Sequence, residues 1–158
     1  EAHRVLADRP SAREPGIPVR AYRSGAGGLY STAADYLRFA RMLANGGELD
    51  GIRLLQPSTV DQMMQDQLVR FDPPVAYPEA GEGFGLGGYV VTDTAKTTRP
   101  GSQGQFGWSG AASTWFTIDR SRRLVIVLMS QHLPTDGTPA LPKIAAPFYR
   151  QVYSTVSP

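Results

Sequence analysis

The stretch whose residue types and spacing could do chemistry runs from Gly107 to Ala112 and reads Gly-Trp-Ser-Gly-Ala-Ala. It lies at the mouth of a predicted β-hairpin, whose first strand follows at residues 113–119 and whose returning strand is Leu124–Met129. A tight Ser-Gly-Ala backbone on a rigid strand can offer N–H groups to an oxygen atom that develops negative charge. The sequence therefore predicts one wall of a site that stabilises an oxyanion.

Two helices are expected before these strands. The first starts near the N-cap hydroxyls of Ser31 and Thr32, and Asn45-Gly46-Gly47 stops it. The second opens at Pro57-Ser58. Its apolar side is predicted to consist of Val60, Met63, Met64 and Leu68.

The rest of the chain predicts strands and one more helix. Residues 84–92 contain a strand at Tyr89-Val90-Val91, and the strand at residues 124–130 is apolar on both faces, so we expect it inside a covered sheet. Pro142 or Pro147 opens a final helix. Its predicted packing stripe consists of Ile144, Phe148 and Val152. The predicted fold class is α+β, an antiparallel β-sheet meander flanked by helices.

The composition excludes several classes of function. The chain of 158 residues has one-domain length, no cysteine, and therefore no thiol nucleophile, disulfide or thiolate metal site. The net charge is only +2, and the cluster of Arg120, Arg122 and Arg123 fits a solvated hairpin tip, so we expect no nucleic-acid partner. No apolar run reaches the roughly 18 residues of a membrane span. His3 and His132 fit exposed loops, and neither a metal nor a cofactor is expected.

Two short motifs invite other interpretations. Gly83–Gly88 matches the dinucleotide fingerprint G-x-G-x-x-G, but a strand follows it where a helix is required. Ser109, Asp119 and His132 occur in the order of an α/β-hydrolase triad. That interpretation requires a helix directly after Ser109, whereas the following residues predict a strand.

Four passages together resemble the C-terminal part of serine β-lactamase-like enzymes. This superfamily comprises class C β-lactamases, DD-peptidases and esterases of the same fold. The four passages occupy residues 24–39, 45–55, 84–87 and 106–131. Their order and spacing along the chain carry the resemblance. The resemblance implies a partial β-lactamase/transpeptidase-like fold.

The family's chemistry uses three motifs, of which this chain contains one. The S-x-x-K motif supplies the nucleophilic serine. The second motif, Y-x-N or S-x-N, supplies a proton-transfer group. The third motif, K-T-G, H-T-G or W-x-G, lies on the strand that lines the site. Trp108, Ser109 and Gly110 match W-x-G. The resemblance implies that the backbone N–H of Ala111 contributes to the oxyanion hole. W-x-G is typical of the esterases, which favours esters over β-lactams as substrates.

The other two motifs are absent from the sequence. No serine has a lysine three positions later, since the only lysines are Lys96 and Lys143, and the sole asparagine is Asn45. We therefore expect a fragment: an irregular arm at residues 1–23, then the C-terminal portion of a β-lactamase-like domain at 24–158. Alone it should be inactive, and its open sheet should associate with the missing N-terminal portion or with itself.

Other possibilities stay open at this stage. The chain could be a non-catalytic binding module, a degenerate relative that keeps the pocket wall without a nucleophile. Whether the chain is part of an enzyme or a binding module, its expected ligand is a small-molecule ester or β-lactam. The absence of cysteine fits both the cytosol and the periplasm, so the compartment is not determined.

Overall fold

The computed structural model describes residues 31–110, 113–130 and 141–156. Residues from Ala33 onward group into one compact unit, which contains every element described below. Helices and antiparallel sheets make up this unit. The predicted α+β class is confirmed, whereas the irregular arm predicted at residues 1–23 lies outside the described residues.

In the described part of the chain, three α-helices pack on the two faces of the sheet. α1 spans Ala33–Ala44 and begins one residue after the predicted N-cap Thr32. α2 spans Pro57–Met63, which is shorter than predicted, because Leu68 belongs to a separate 3₁₀ turn at Leu68–Arg70. α3 spans Leu141–Thr155. No helix in the described ranges is long and apolar enough to cross a membrane.

A small hairpin that the sequence did not predict joins α1 to α2. Its strands are β1, Glu48–Leu49, and β2, Ile52–Arg53. An ion pair between Arg53 and Glu48 crosses the hairpin. Two-residue strands carry too little apolar alternation for sequence periodicity to reveal them.

Within the described residues, the main sheet has five antiparallel strands, each paired with its neighbour in sequence. The strands are β3 Glu82–Phe84, β4 Tyr89–Val91, β5 Phe106–Ser109, β6 Trp115–Asp119 and β7 Leu124–Leu128. The predicted meander is thus confirmed. The glycine-rich run Gly83–Gly88 lies in the β3–β4 hairpin, with Phe84 opposite Tyr89, and no helix follows it. This placement rejects the dinucleotide interpretation.

The two faces of the sheet carry different cores. The face toward α1 and α2 buries Phe106, Phe116 and Ile118 against Ala40 and Leu43. The opposite face buries another cluster, which consists of Trp115, Ile126, Tyr149 and Tyr153. Each β-strand sends alternate residues to the two faces, so both cores hold the same strands in place.

Two sequence predictions about packing were wrong in part. Only Ile126 of β7 is buried, and β7 forms an edge of the described sheet rather than an interior strand, although its other residues pack against the cores on both faces. In α3, Phe148 of the predicted packing stripe is exposed, Val152 packs partly buried against the cluster, and the side chain of Ile144 lies outside the description; Tyr149 and Tyr153 supply the buried side. The hydroxyl of each of these tyrosines forms hydrogen bonds with buried polar groups, which allows the ring to be buried. A search for periodically spaced apolar residues does not predict buried tyrosines of this kind.

Candidate functional site

The candidate residues Trp108, Ser109 and Gly110 lie where β5 ends. Trp108 pairs with Phe116 across the β5–β6 ladder, and Ser109 pairs with Trp115. Gly110 then leaves the strand. Ala111, the candidate oxyanion donor, lies outside the described residues.

The turn that follows β5 is closed by backbone hydrogen bonds. Gly110 N–H donates to the Thr114 carbonyl at 2.9 Å, and Ser113 N–H donates to the Gly110 carbonyl at 3.0 Å. Ser113 is fully buried and has a positive φ of 61°. Non-glycine residues seldom adopt such a backbone, so the surrounding contacts must hold this conformation in place.

A pocket of about 220 Å³ opens beside this strand end. α1 contributes Tyr36 to its wall, far from the β5 residues in sequence, and Met129 follows β7. The complete set of described lining residues is Tyr36, Trp108, Ser109, Gly110, Thr114, Trp115, Phe116 and Met129. The structure therefore brings all three described W-x-G residues to one cavity.

Aromatic rings extend from the pocket along the surface. The Trp108 ring meets Phe84 edge-on with the ring centroids 5.2 Å apart, and Phe84 stacks on Tyr77 at 5.8 Å. Tyr36 packs against Phe116 at 5.2 Å. Trp108 nevertheless keeps 41% of its surface exposed, which leaves a large part of its ring available to a ligand.

No sequence motif marks Tyr36 or Tyr77 as residues near the site. Tyr36 lies on α1 and lines the pocket, and Tyr77 lies between the 3₁₀ turn and β3 and stacks on Phe84. Both positions depend on how helix and loop fold over the sheet, which no local pattern encodes.

A buried polar cluster lies beneath β5, on the face toward α3. Tyr149 Oη donates to Thr117 Oγ1 at 3.0 Å, and Tyr89 Oη lies 2.8 Å from the same hydroxyl oxygen. Gly107 makes this approach possible, because a Cβ there would lie 2.8 Å from Tyr89 Oη and 2.3 Å from the Phe116 carbonyl. Burial raises the pKa of both tyrosines, so their hydroxyls stay protonated at neutral pH.

The pocket itself contains polar groups but no charged ones among its described lining residues. The hydroxyls of Ser109 and Thr114 make no hydrogen bond to other described residues, so both can serve a ligand. Burial raises the pKa of the third hydroxyl, that of Tyr36, which therefore remains neutral. Such a lining can bind apolar surface and donate hydrogen bonds to an uncharged acceptor.

The α/β-hydrolase interpretation of Ser109 is wrong. A turn and then strand β6 follow Ser109, whereas a nucleophile elbow leads directly into a helix. Asp119 is buried and serves the fold, since its carboxylate accepts hydrogen bonds from Ser102 N–H, Arg122 N–H and Tyr153 Oη. His132 lies outside the described residues, as does His3.

Comparison with known proteins shows the family and the fold. The model of the Beta-lactamase family matches residues 1–146. Among curated proteins, Protein Rv1367c and the uncharacterized protein MT1414, from two strains of Mycobacterium tuberculosis, are each 39% identical to the chain over 158 residues. Those alignments cover 88% of this chain, and the chain spans only 39% of the length of each relative.

Solved structures share the fold at lower sequence identity. The hydrolase EstCE1, described as having promiscuous acyltransferase activity, has a TM-score of 0.63 at 23% identity, covering 89% of this chain and 33% of its own. Unliganded simvastatin synthase (LovD) from Aspergillus terreus has a TM-score of 0.61 at 22% identity, covering 82% and 36%. With the family model matching most of its length, the chain belongs to the Beta-lactamase family and has part of the β-lactamase-like fold.

Proposed function

We propose that this chain forms one wall of the active site of a serine hydrolase that cleaves esters, or β-lactam and amide bonds, through an acyl-enzyme. The observation that carries the proposal is the pocket at the end of β5, lined by Trp108, Ser109 and Gly110. These three residues are the ones that match the family's W-x-G motif. Membership in the Beta-lactamase family supports the reaction class.

The nucleophile in this proposal comes from polypeptide outside these 158 residues, since the sequence contains no S-x-x-K. A serine hydroxyl attacks the substrate carbonyl, and its proton passes through a neighbouring base to the alcohol oxygen or amine nitrogen, whose bond to the carbonyl carbon breaks to leave an acyl-enzyme. The alcohol or amine then departs, except in a β-lactam, where the amine stays attached to the acyl group. Water then releases the acid. Backbone N–H groups after β5, with that of Ala111 among them, hold the negative oxygen of each tetrahedral intermediate.

The test compares the complete gene product with this chain alone. A chromogenic p-nitrophenyl ester and a chromogenic cephalosporin report turnover, and intact mass after a fluorophosphonate probe reports a reactive serine. We expect turnover and labelling of the complete product and neither in the isolated chain. Labelling of Ser109, or equal turnover by the chain alone, would refute the proposal.

A non-catalytic binding module is the second candidate, favoured by the same absence of S-x-x-K. It predicts that ligands bind at the pocket while the complete gene product hydrolyses neither chromogenic substrate. An S-x-x-K motif elsewhere in the gene product, together with turnover of either substrate, would support the serine hydrolase and exclude the binding module.

We also propose that a further strand covers the exposed edge of β7. A groove of about 390 Å³ runs beside this strand between α1 and α3, and Leu37 and Phe148 are among the apolar residues that line it. Leu37 is 37% exposed and Phe148 41%, which is unusual for large apolar side chains that share one groove. Polypeptide outside this chain, or failing that a second copy, is the proposed covering partner.

A further inference from the structure

Asp66 lies between α2 and the 3₁₀ turn and binds two separate parts of the backbone. Its Oδ1 atom accepts a hydrogen bond from Leu68 N–H at 3.0 Å and another from Phe84 N–H at 3.1 Å. The first bond closes a local turn of the kind that aspartate favours. The second joins residues 18 positions apart, so this one carboxylate connects the segment after α2 to the last residue of β3.

The same segment runs along the outer edge of β3, which is an edge strand of the described sheet. Gln67 N–H donates to the Phe84 carbonyl at 2.8 Å, and Leu86 N–H donates to the Met63 carbonyl at 2.9 Å. The N–H and the C=O group of Phe84 are thus both bound by the consecutive residues Asp66 and Gln67. Since a buried or half-buried strand edge needs partners for its backbone groups, this segment takes the place of a further strand.

Glycines on both sides of Phe84 allow the close approach. A Cβ at Gly83 would collide with the Asp66 carboxylate, and a Cβ at Gly85 would collide with the Met63 carbonyl. Both glycines are buried, whereas Phe84 between them keeps a ring. The backbone of β3 is therefore packed directly onto the segment after α2, and the position of Phe84 follows from that contact.

The Phe84 ring transmits this position to the pocket. It meets the Trp108 ring edge-on with the centroids 5.2 Å apart, and Tyr77 stacks on it from another side at 5.8 Å. Of these three rings only Trp108 lines the pocket. Because the Trp108 ring is partly exposed, its contact with Phe84 restricts the positions that it can take.

We propose that Asp66 is a positioning residue of the pocket: by fixing the backbone of Phe84, it holds the Phe84 ring against Trp108 and so keeps Trp108 in the pocket wall. Asp66 does not line the pocket and acts through Phe84 alone. The consequence for substrate binding rests on the proposed function. A Trp108 ring that is not held in place must be ordered when substrate binds, which costs affinity.

The first measurement follows the Trp108 ring without turnover. The complete gene product is prepared with 5-fluorotryptophan, and the ¹⁹F signal that disappears in Trp108→Phe belongs to Trp108. We expect Asp66→Ala to shift and broaden this signal. Asp66→Asn should restore it, because the amide oxygen of asparagine can accept both hydrogen bonds.

A double-variant cycle tests whether Asp66 acts through Phe84. Phe84→Leu removes the ring that contacts Trp108 and should change the ¹⁹F signal by itself. Adding Asp66→Ala to Phe84→Leu should then have no further effect on the signal, since residues that act in one chain of contacts are not additive. Should Asp66→Ala fail to fold, Phe84→Leu still decides, because an unchanged Trp108 signal in that variant would overturn the proposal.

Kinetics of the complete gene product separate positioning from a loss of folded protein. With p-nitrophenyl butyrate, Asp66→Ala should raise KM about fivefold, which corresponds to about 1 kcal/mol, and leave kcat unchanged. A merely structural role would reduce the amount of folded enzyme and therefore lower the apparent kcat at constant KM. Asp61→Ala is the matched control, because Asp61 is a nearby carboxylate that pairs with Arg120 at an exposed position. It should change neither the ¹⁹F signal nor KM.

The results for this inference and for the proposed function can differ. An unchanged Trp108 signal in folded Asp66→Ala, or a failure of Asp66→Asn to restore it, would overturn the positioning role even if the complete gene product hydrolyses the ester. A complete gene product that turns over neither chromogenic substrate would refute the proposed function. In that case a Trp108 signal that changes in Asp66→Ala and returns in Asp66→Asn still supports the positioning role.

Discussion

Ser130 Oγ donates a hydrogen bond of 2.9 Å to the carbonyl oxygen of Ser113. The contact joins the end of β7 to the turn that follows β5, across the intervening strand β6. Ser113 is fully buried and has a positive φ, so this bond helps to hold a backbone conformation that its sequence does not favour. The turn it holds begins at Gly110, the last described residue of the W-x-G motif.

Removing this hydroxyl should loosen the turn. We expect Ser130→Ala to cost about 1 kcal/mol, the typical net value of one hydrogen bond. Hydrogen exchange at the amides of Gly110 and Ser113 should become about fivefold faster, because a loss of about 1 kcal/mol corresponds to about a fivefold change in the opening equilibrium. Ser130→Thr keeps the donor and should restore slow exchange. Equal exchange rates in the alanine variant and the parent would contradict the assigned role.

The close packing at Gly107 gives a second prediction. A Cβ at this position would lie 2.3 Å from the Phe116 carbonyl oxygen, a backbone atom that cannot move without parting β5 from β6. Gly107→Ala should therefore lower the free energy of unfolding by more than about 2 kcal/mol, at the upper end of overpacking costs. Urea denaturation measures the change.

Gly110→Ala is the matched comparison. The nearest obstacle to its Cβ is Thr114 Oγ1 at 2.5 Å, a side-chain atom that can rotate away. We expect a smaller loss of stability than at Gly107, and recovery in the double variant with Thr114→Ala. A larger loss at Gly110 than at Gly107 would reverse the ranking that the backbone contact predicts.

Alkaline pH should destabilise the fold through its buried tyrosines. Burial raises the pKa of Tyr89, Tyr149 and Tyr153 above the ordinary value of 10.0. Above pH 10.0 the unfolded chain loses these protons while the folded chain keeps them. Stability is therefore unaffected by these groups below that pH and falls as pH rises beyond it, by about 1.4 kcal/mol per pH unit for each tyrosine.

Urea denaturation at several pH values between about 8 and about 11 tests this dependence. Tyr149→Phe removes one titrating group. The free energy of unfolding should therefore fall less steeply with pH, by the slope that corresponds to about one proton released on unfolding. A stability that stays constant up to pH 11 in the parent would contradict the protonated, buried state of these hydroxyls.

The chain offers a direct comparison of a buried and an exposed ion pair. Arg99 Nε lies 2.8 Å from Glu82 Oε1, and the Glu82 side chain is only 2% exposed. Arg99→Leu should cost about 3–5 kcal/mol, because it leaves a buried carboxylate without its partner. Arg38→Leu breaks the pair with Asp50, in which both side chains are more than half exposed, and should cost no more than about 1 kcal/mol. Similar losses in thermal or urea denaturation would refute this ranking.

The exposed groove beside β7 predicts self-association of the isolated chain. Sedimentation should show a molecular weight that rises with concentration, as open apolar edges pair. Phe148→Lys places a charge in the groove and should restore the monomer. Phe71→Lys, at an exposed apolar residue outside the groove, should leave association unchanged. A chain that is monomeric at every concentration would argue that the groove needs a different polypeptide.

The strands around the site could be predicted because their signals are local. Trp115–Asp119 and Leu124–Leu128 are apolar β-rich runs separated by a polar turn, and the structure places strands at both. The W-x-G residues could also be identified, since their motif is contiguous. α1 was predicted nearly residue by residue, because its apolar spacing and its glycine stop agree.

Errors arose where packing overrides pattern. Phe148 has the right spacing for a buried stripe, yet Tyr149 and Tyr153 face the sheet, because their hydroxyls meet Thr117, Gln105 and Asp119. The run from Leu124 to Leu128 is apolar enough for an interior strand, but only pairing with neighbours decides whether a strand has one partner or two.

By itself the sequence determined the α+β class, the central strands and the W-x-G motif, because each depends on residues close together in the chain. Tertiary structure alone decided that Tyr36 joins Trp108 at one pocket, that the described lining carries no charge, and that Ser130 holds the turn after β5. The physical reason is that a cavity is defined by what surrounds it. Side chains distant in sequence become neighbours only when the helices and sheet bury their shared apolar faces.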